Sequence, residues 1–262
     1  MHLRKKVNKM GIKKSISKIL AGLVAIGLII ALLFITNAFV GNPISAMLAN
    51  KVIDKYVKEK YSSLDLEVEK ARYNFKDTSY VAIAKSKTSI DTRFPIYYQK
   101  GKVQRDGYEG YVLGMFNTLQ RLSDEYSSLA QEILAQELGY ENNTTLVMYD
   151  KDEYTDNNVL ELDMKFDRRL PLKAEVTLRL DLTDHSLENI AKVLTEAHKA
   201  FVDNDCIFNQ YSIYVENDGM LVNIDGVTPA DIESGELLTL FKEAKDNDGE
   251  GRIFIYIKGE DK

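Results

Sequence analysis

The chain has one cysteine, no tryptophan, four prolines and three histidines in 262 residues. A single thiol closes no internal disulfide, so no disulfide framework holds the fold. So little proline, beside 15 glycines, excludes a collagen-like or low-complexity chain. Negative charge is missing from the first 40 residues, which hold seven Lys and Arg and no Asp or Glu. The remaining residues carry 27 basic and 40 acidic side chains, a net charge of −13. A body with that balance repels phosphate backbones, so nucleic acid is not an expected partner.

What the head does contain is an apolar run. From Ile19 to Val40 there is no charged residue. At about 1.5 Å per helical residue this stretch reaches about 33 Å, enough to cross a hydrocarbon core of about 30 Å. Arg4, Lys5, Lys6, Lys9, Lys13, Lys14 and Lys18 precede it, and only Lys51 and Lys55 follow within fifteen residues. The positive-inside rule then puts the N-terminus in the cytoplasm and the body outside. A cleaved signal peptide is the competing reading, with Thr36-Asn37-Ala38 as small residues at cleavage spacing. Its apolar core usually spans about 7–15 residues, and the greater length here favours a retained anchor. No cysteine stands at the end of the run, which excludes a lipoprotein.

Hydropathy patterning makes the body α+β. Asn42-Pro43 is a helix restart, with Asn at the N-cap and Pro at the first helical position. The helix runs to about Tyr61 with Leu48, Val52, Ile53 and Tyr56 on one side. Short alternating runs at 64–69, 80–84 and 94–99 make a three-stranded antiparallel meander. A long helix follows, with Phe116, Leu119, Leu122, Tyr126, Leu129 and Ile133 as its stripe and Gly139 as its stop. The runs LELDMKF (160–166) and AEVTLRLDL (174–182) alternate cleanly and are expected to pair as antiparallel strands. From residue 174 the element order is β-α-β-β-α-β, the split βαβ order of ferredoxin-like folds. Four segments result: a basic tail 1–18, a transmembrane helix 19–40, a membrane-proximal unit 41–140 and a distal unit 141–262. The distal unit is the acidic one: residues 151–262 hold 13 basic and 25 acidic side chains, against 14 and 15 in residues 41–150.

Sites of chemistry are few. His185 and His198 lie thirteen residues apart on one predicted helix, about 20 Å by helical rise, too far to share a metal. Cys206 opens a predicted strand; a nucleophile pair with His198 has no companion motif to support it. P-loop, G-x-G-x-x-G, H-E-x-x-H and G-x-S-x-G patterns are all missing, and no cofactor is expected. Acidic clusters remain. Asp246, Asp248 and Glu250, followed by Gly251, copy the start of a calcium loop, but the twelfth position is Ile257 rather than Glu. A second cluster, Asp150, Asp152, Glu153 and Asp156, follows the run Thr144–Tyr149. Either is a candidate cation site, and either is equally explained as a polar turn.

The stretch GNPISAMLANKVIDKYVKEKY, just beyond the apolar run and followed by alternating strands, resembles the YfjL-like membrane proteins of Gram-positive bacteria. That resemblance implies a single-pass membrane protein of uncharacterised function and supplies no catalytic or binding residues. By topology alone, the helix-then-meander unit is also similar to small PepSY-type domains found outside bacterial membranes. The resulting expectation is a tethered, extracytoplasmic binding or regulatory module of the cell envelope, its partners the bilayer and another envelope protein. The alternatives are a carboxylate-dependent envelope hydrolase and a sensor of divalent cations or small ligands on the acidic unit.

Overall fold

A computed structural model describes residues 2–150, 159–217, 219–247 and 251–259, with side chains from residue 18 onward. Helix α1 spans His2–Val40. Among the described residues it is the one helix long and apolar enough to cross a membrane, and residues 18–40 are exposed along its length. The rest of the chain forms two sheets in two compact units. The first comprises residues 1–88 and 93–108, the second residues 89–92 and 109–262.

In the first unit, helix α2 (Pro43–Lys60) precedes strands β1 (Leu66–Val68), β2 (Arg72–Asn74), β3 (Ser79–Ser86), β4 (Arg93–Gln99) and β5 (Lys102–Asp106). All pairings are antiparallel. β3 holds the centre, with β4 on one side and both β1 and β2 on the other. Ala82 and Ala84 of β3 face Ile96 and Phe94 of β4, so small side chains sit opposite large ones beneath α2. The buried stripe of α2 is Ala49, Ile53 and Val57. Leu48, expected on that face, is exposed: with Ile44 and Met47 it forms a second apolar face, which helical periodicity alone does not tell from the first. At the far end of the helix, Lys60 Nζ and the Tyr61 hydroxyl donate to Asp106 Oδ2 at 2.8 and 2.9 Å, joined by the Tyr56 hydroxyl. Burial pushes the Asp106 carboxyl up, but these hydrogen bonds outweigh it and hold the group below the usual carboxylate range.

The second unit begins with a π-helical turn (Glu109–Leu113) and helix α3 (Phe116–Leu138), capped by Gly139 as expected. Strand β6 (Leu146–Tyr149) and strand β7 (Ala174–Leu180) follow. Next come α4 (Leu187–Asp203), β8 (Gln210–Asn217), β9 (Met220–Val227), short α5 (Pro229–Glu233), α6 (Leu237–Asp246) and β10 (Phe254–Lys258). The α3 stripe belongs to this unit: Leu119, Leu122, Tyr126 and Leu134 share one core with Val176, Leu178, Leu194, Phe201 and Ile213. The division between units therefore falls at 108/109, ahead of the long helix, rather than at 140/141 behind it.

Two expectations are corrected here. The sheet order is β10-β9-β8-β7-β6, and β7 and β8 are adjacent and parallel. The βαβ unit is thus not split by an intervening strand, and the sheet is not of the ferredoxin-like kind although the element order matches. The LELDMKF segment is not a strand, and β7 pairs with β6 instead. Leu160 is buried and Met164 and Phe166 pack against the core, whereas Leu162 is exposed, so the alternation reports burial at three of its four apolar positions. Its backbone groups bond to side chains instead of a neighbouring strand: Asp163 N–H donates to Asp91 Oδ2 at 3.0 Å, and Met164 C=O accepts from Arg121 at 2.7 Å.

Strand β6 ends the sheet, and its open edge is closed by polar side chains of α3. Val147 N–H donates to Ser127 Oγ at 2.7 Å, Tyr149 N–H to Ser123 Oγ at 3.4 Å, and Gln131 Nε2 donates to Thr145 C=O at 2.7 Å. This accounts for two buried serines on a helix face otherwise lined by core residues, since an unpaired buried N–H is costly. Ser127→Ala is expected to destabilise the chain by about 1–3 kcal/mol, because it strands the Val147 N–H. Ser128→Ala, whose hydroxyl bonds among the described residues only to Asp124 C=O of its own helix, is expected to change stability by less than about 0.5 kcal/mol. Urea unfolding of the two variants, followed by circular dichroism, checks this; equal effects would sink the edge-closing role.

Candidate functional site

The second unit contains an open cleft of about 450 Å³ where the end of α4, the segment leading into β8, and α5 converge. Helical spacing puts His198 one turn after Leu194 and Val202 one turn further on. Ser186 caps the start of α4 by accepting from Asn189 N–H at 3.2 Å, and the chain leaves its other end through Asp205, with φ of 57°. Cys206, Ile207 and Phe208 then form one wall and Tyr211 of β8 the floor. Pro229 and Glu233 of α5 close the opposite side, and Arg169 stands at the rim. α5 is held there by a capping box in which Thr228 and Asp231 bond each other's backbone.

The walls are apolar, and Val202 and Ile207 turn 53% and 64% of their surface to solvent. Beside them lies a hydrogen-bonded chain. His198 Nδ1 is 2.8 Å from the Tyr211 hydroxyl, and Nε2 is 3.3 Å from Glu233 Oε1. A carboxylate only accepts, so in the neutral ring Nε2–H donates to Glu233 and Nδ1 accepts from Tyr211. Burial pushes the Tyr211 hydroxyl well above the usual phenol range, which keeps it a donor. At the rim Arg169 Nη2 donates to Asp205 Oδ2 at 2.8 Å. Apolar walls beside a hydrogen-bonding chain are the features that would suit an apolar group with a polar end, and the volume lies in the size range of small-ligand sites.

Several sequence candidates are placed differently. His198 and Cys206 line the same cleft, yet both imidazole nitrogens are engaged by Tyr211 and Glu233. The thiol is buried, faces Asn204 C=O at 3.7 Å, and is pushed up by that burial, the reverse of what an activated nucleophile needs. His185 is half-buried with Nε2 unpartnered and takes no part in the cleft. Asp246 closes α6, while Asp248 and Glu250 lie outside the described residues, as do Asp152, Glu153 and Asp156. Among the described residues no group of three or more His, Cys, Asp or Glu side chains is placed to hold a metal. Tyr211, Glu233, Pro229 and Arg169 were not legible as site residues. They come from β8, α5 and the turn ahead of β7, and the one local signal was a histidine beside the apolar stripe of α4.

An α+β chain with two sheets behind one long apolar helix is the class that fold and cleft define. Residues 16–107 match the YfjL-like N-terminal domain and residues 125–242 the YfjL-like C-terminal domain. The chain belongs to the YfjL-like family. An uncharacterised protein, YfjL, of Bacillus subtilis is 24% identical over 231 residues, covering 84% of this chain and 96% of that protein. No solved structure matches the chain. The two matched regions leave out residues 108–124, which contain the division between the units at 108/109.

Proposed function

We propose that the chain is a single-pass membrane protein, N-terminus in the cytoplasm, that presents a binding or regulatory module on the outer side of the bacterial membrane. The α4–α5 cleft is its recognition site. The observation that carries this reading is the cleft itself: apolar walls, two exposed aliphatic side chains at the mouth, and the His198–Tyr211–Glu233 chain to orient what enters. The length of α1 supports the anchor, and the basic residues before it support the orientation. A PepSY-type likeness of the first unit, helix followed by antiparallel sheet, is part of the same proposal. The hydrolase alternative gains no support from the cleft. Its two carboxylates are committed, Asp205 to Arg169 and Glu233 to His198, whereas glycoside hydrolysis needs one carboxyl held protonated.

A photo-crosslinker placed at Val202 in native membranes tests the reading. A discrete adduct with an envelope component is expected from Val202, none from exposed Lys192 on the same helix. The Val202 adduct should fall at least about tenfold with Ile207→Arg, since an apolar occupant covering Ile207 would strip water from the new charge at a cost above the 1.4 kcal/mol this represents. The same adducts from both positions would overturn it.

A further inference from the structure

The junction between α1 and the first sheet is built as a rigid seat. Gly41 follows α1 with φ of +72°, and a Cβ there would lie 2.7 Å from both the Tyr73 ring and the Tyr80 hydroxyl. Asn42 N–H donates to the Tyr80 hydroxyl at 2.8 Å, that hydroxyl donates to Asn42 C=O at 3.1 Å, and the Tyr73 hydroxyl donates to Ala38 C=O at 3.2 Å. Asn42 also caps α2 by accepting from Ser45 N–H at 2.7 Å. A chain that merely needed a tether would not fix the helix end to two tyrosines of the sheet.

Around this junction the surface is apolar. Phe39, Ile44, Met47 and Phe75 are each more than half exposed, and the rings of Phe39 and Phe75 are 6.1 Å apart. Ile44 and Met47 lie in the first turns of α2, within about 8 Å of its start by helical rise. Phe75 tips the β2–β3 turn and is followed by Lys76; Lys100 occupies the β4–β5 turn. Gln99 Nε2 binds these turns together, donating to Asp77 C=O and Thr78 Oγ1, both at 2.9 Å. Between them and the helix end lies a polar cleft of about 320 Å³, lined by Asn37, Asn42, Ser45, Thr78, Tyr98 and Lys100 among others. Neither Lys76 nor Lys100 has a carboxylate partner among the described residues.

We infer that the first unit is seated on the outer leaflet through this apolar collar, and that the adjoining cleft takes the phosphate headgroup of an anionic phospholipid beside Lys100. The inference rests on the proposed membrane span. Continuity supplies the occupant: the collar and cleft begin at the last turn of the apolar helix, at the depth where a bilayer changes from acyl chain to headgroup, and aromatic and lysine side chains are the residues that settle there. Lysines near an anionic surface each favour it about fivefold.

The experiment uses the full chain with Cys206→Ala, reconstituted in lipid nanodiscs, with a nitroxide at one of three positions: Leu28→Cys, Phe75→Cys or Lys192→Cys. Oxygen and aqueous nickel accessibilities then report depth. Leu28 and Phe75 are expected to be oxygen-accessible and shielded from nickel, and Lys192 the reverse. A nickel-accessible Leu28 would overturn the span itself. An immersed Leu28 with Phe75 behaving like Lys192 would leave the span standing and overturn the seat. In a second arm, spin-labelled phosphatidylglycerol and phosphatidylcholine compete for the unlabelled chain. Preference for the anionic lipid should fall about fivefold with Lys100→Gln. An unchanged preference would overturn the headgroup site.

Discussion

Replacing Asp91 by alanine is expected to cost the second unit about 3–5 kcal/mol, the effect of removing one member of a buried ion pair. Asp91 is 2% exposed and receives Arg121 in bidentate fashion, Nε to Oδ1 at 2.8 Å and Nη2 to Oδ2 at 2.9 Å. It also takes Asp163 N–H, while its own N–H donates to Asp163 Oδ1 at 2.9 Å. The two aspartates therefore bond to each other's backbone across 72 residues of chain. Alanine removes the acceptor for Asp163 and leaves the Arg121 guanidinium with only Glu125 and the Met164 carbonyl of the partners described for it. Arg121→Lys should cost less, about 1–3 kcal/mol, since a single ammonium keeps the charge but loses the fork. Urea midpoints of the detergent-solubilised chain, followed by tyrosine circular dichroism, give both numbers. An Asp91→Ala loss below about 1 kcal/mol would show that the pair is only decorative.

The same pair has a pH signature. Burial would raise the Asp91 carboxyl, but hydrogen bonds from Arg121 and Thr118 outweigh it and hold it below the ordinary value. Asp231 is treated alike by Arg252 and Thr228, which overcome its burial and bring it to about 2. Both groups ionise more readily in the folded than in the unfolded chain. Their stabilisation is therefore complete above the unfolded value of about 4 and is lost as pH falls toward the folded one. Acid unfolding between about pH 4 and 2 should be blunted in Asp231→Asn, which has already lost that contribution.

These networks also mark where the sequence stopped being readable. The stripes of α3 and α4 and the alternation of β3, β7 and β10 follow from one period per element, and each was legible because a half-buried helix or strand must repeat. The 160–166 segment has the same alternation and is not a strand. Whether a chain forms a ladder depends on a neighbour's backbone, and here Asp91 and Arg121, roughly 40 to 70 residues earlier, supply the bonds. Parallel pairing of β7 with β8 was hidden for a related reason: both strands are equally apolar whichever neighbour they choose. The cleft was hidden more deeply, since Arg169, His198, Tyr211 and Glu233 meet only after α4, β8 and α5 have packed. Of the cation candidates, only Asp150 and Asp246 fall among the described residues.

Gly226→Ala is expected to be the other severe substitution, costing about 4 kcal/mol or more. Two effects add there. Gly226, one residue before the end of β9, has φ of +83°, a conformation that costs an alanine about 1–2 kcal/mol. The larger effect is space: a Cβ would lie 2.1 Å from Arg252 C=O and 3.1 Å from its carbonyl carbon, both backbone atoms that no rotamer change moves aside. Relief requires residues 252–253 to withdraw from β9. That motion pulls on β10, whose Phe254 pairs with Asp225, and on Arg252, whose guanidinium donates to Asp231 Oδ1 and Oδ2 at 2.7 Å and to Gly226 C=O. Asp231 in turn closes the capping box of α5, so the strain reaches the element that carries Glu233. Gly101→Ala separates the two effects, because Gly101 has φ of +86° and open space around its Cβ position. It should lose only the 1–2 kcal/mol of backbone strain. Urea unfolding of the two variants side by side measures the difference. Equal losses would mean that Arg252 yields freely and that the β9–β10 approach is not tight.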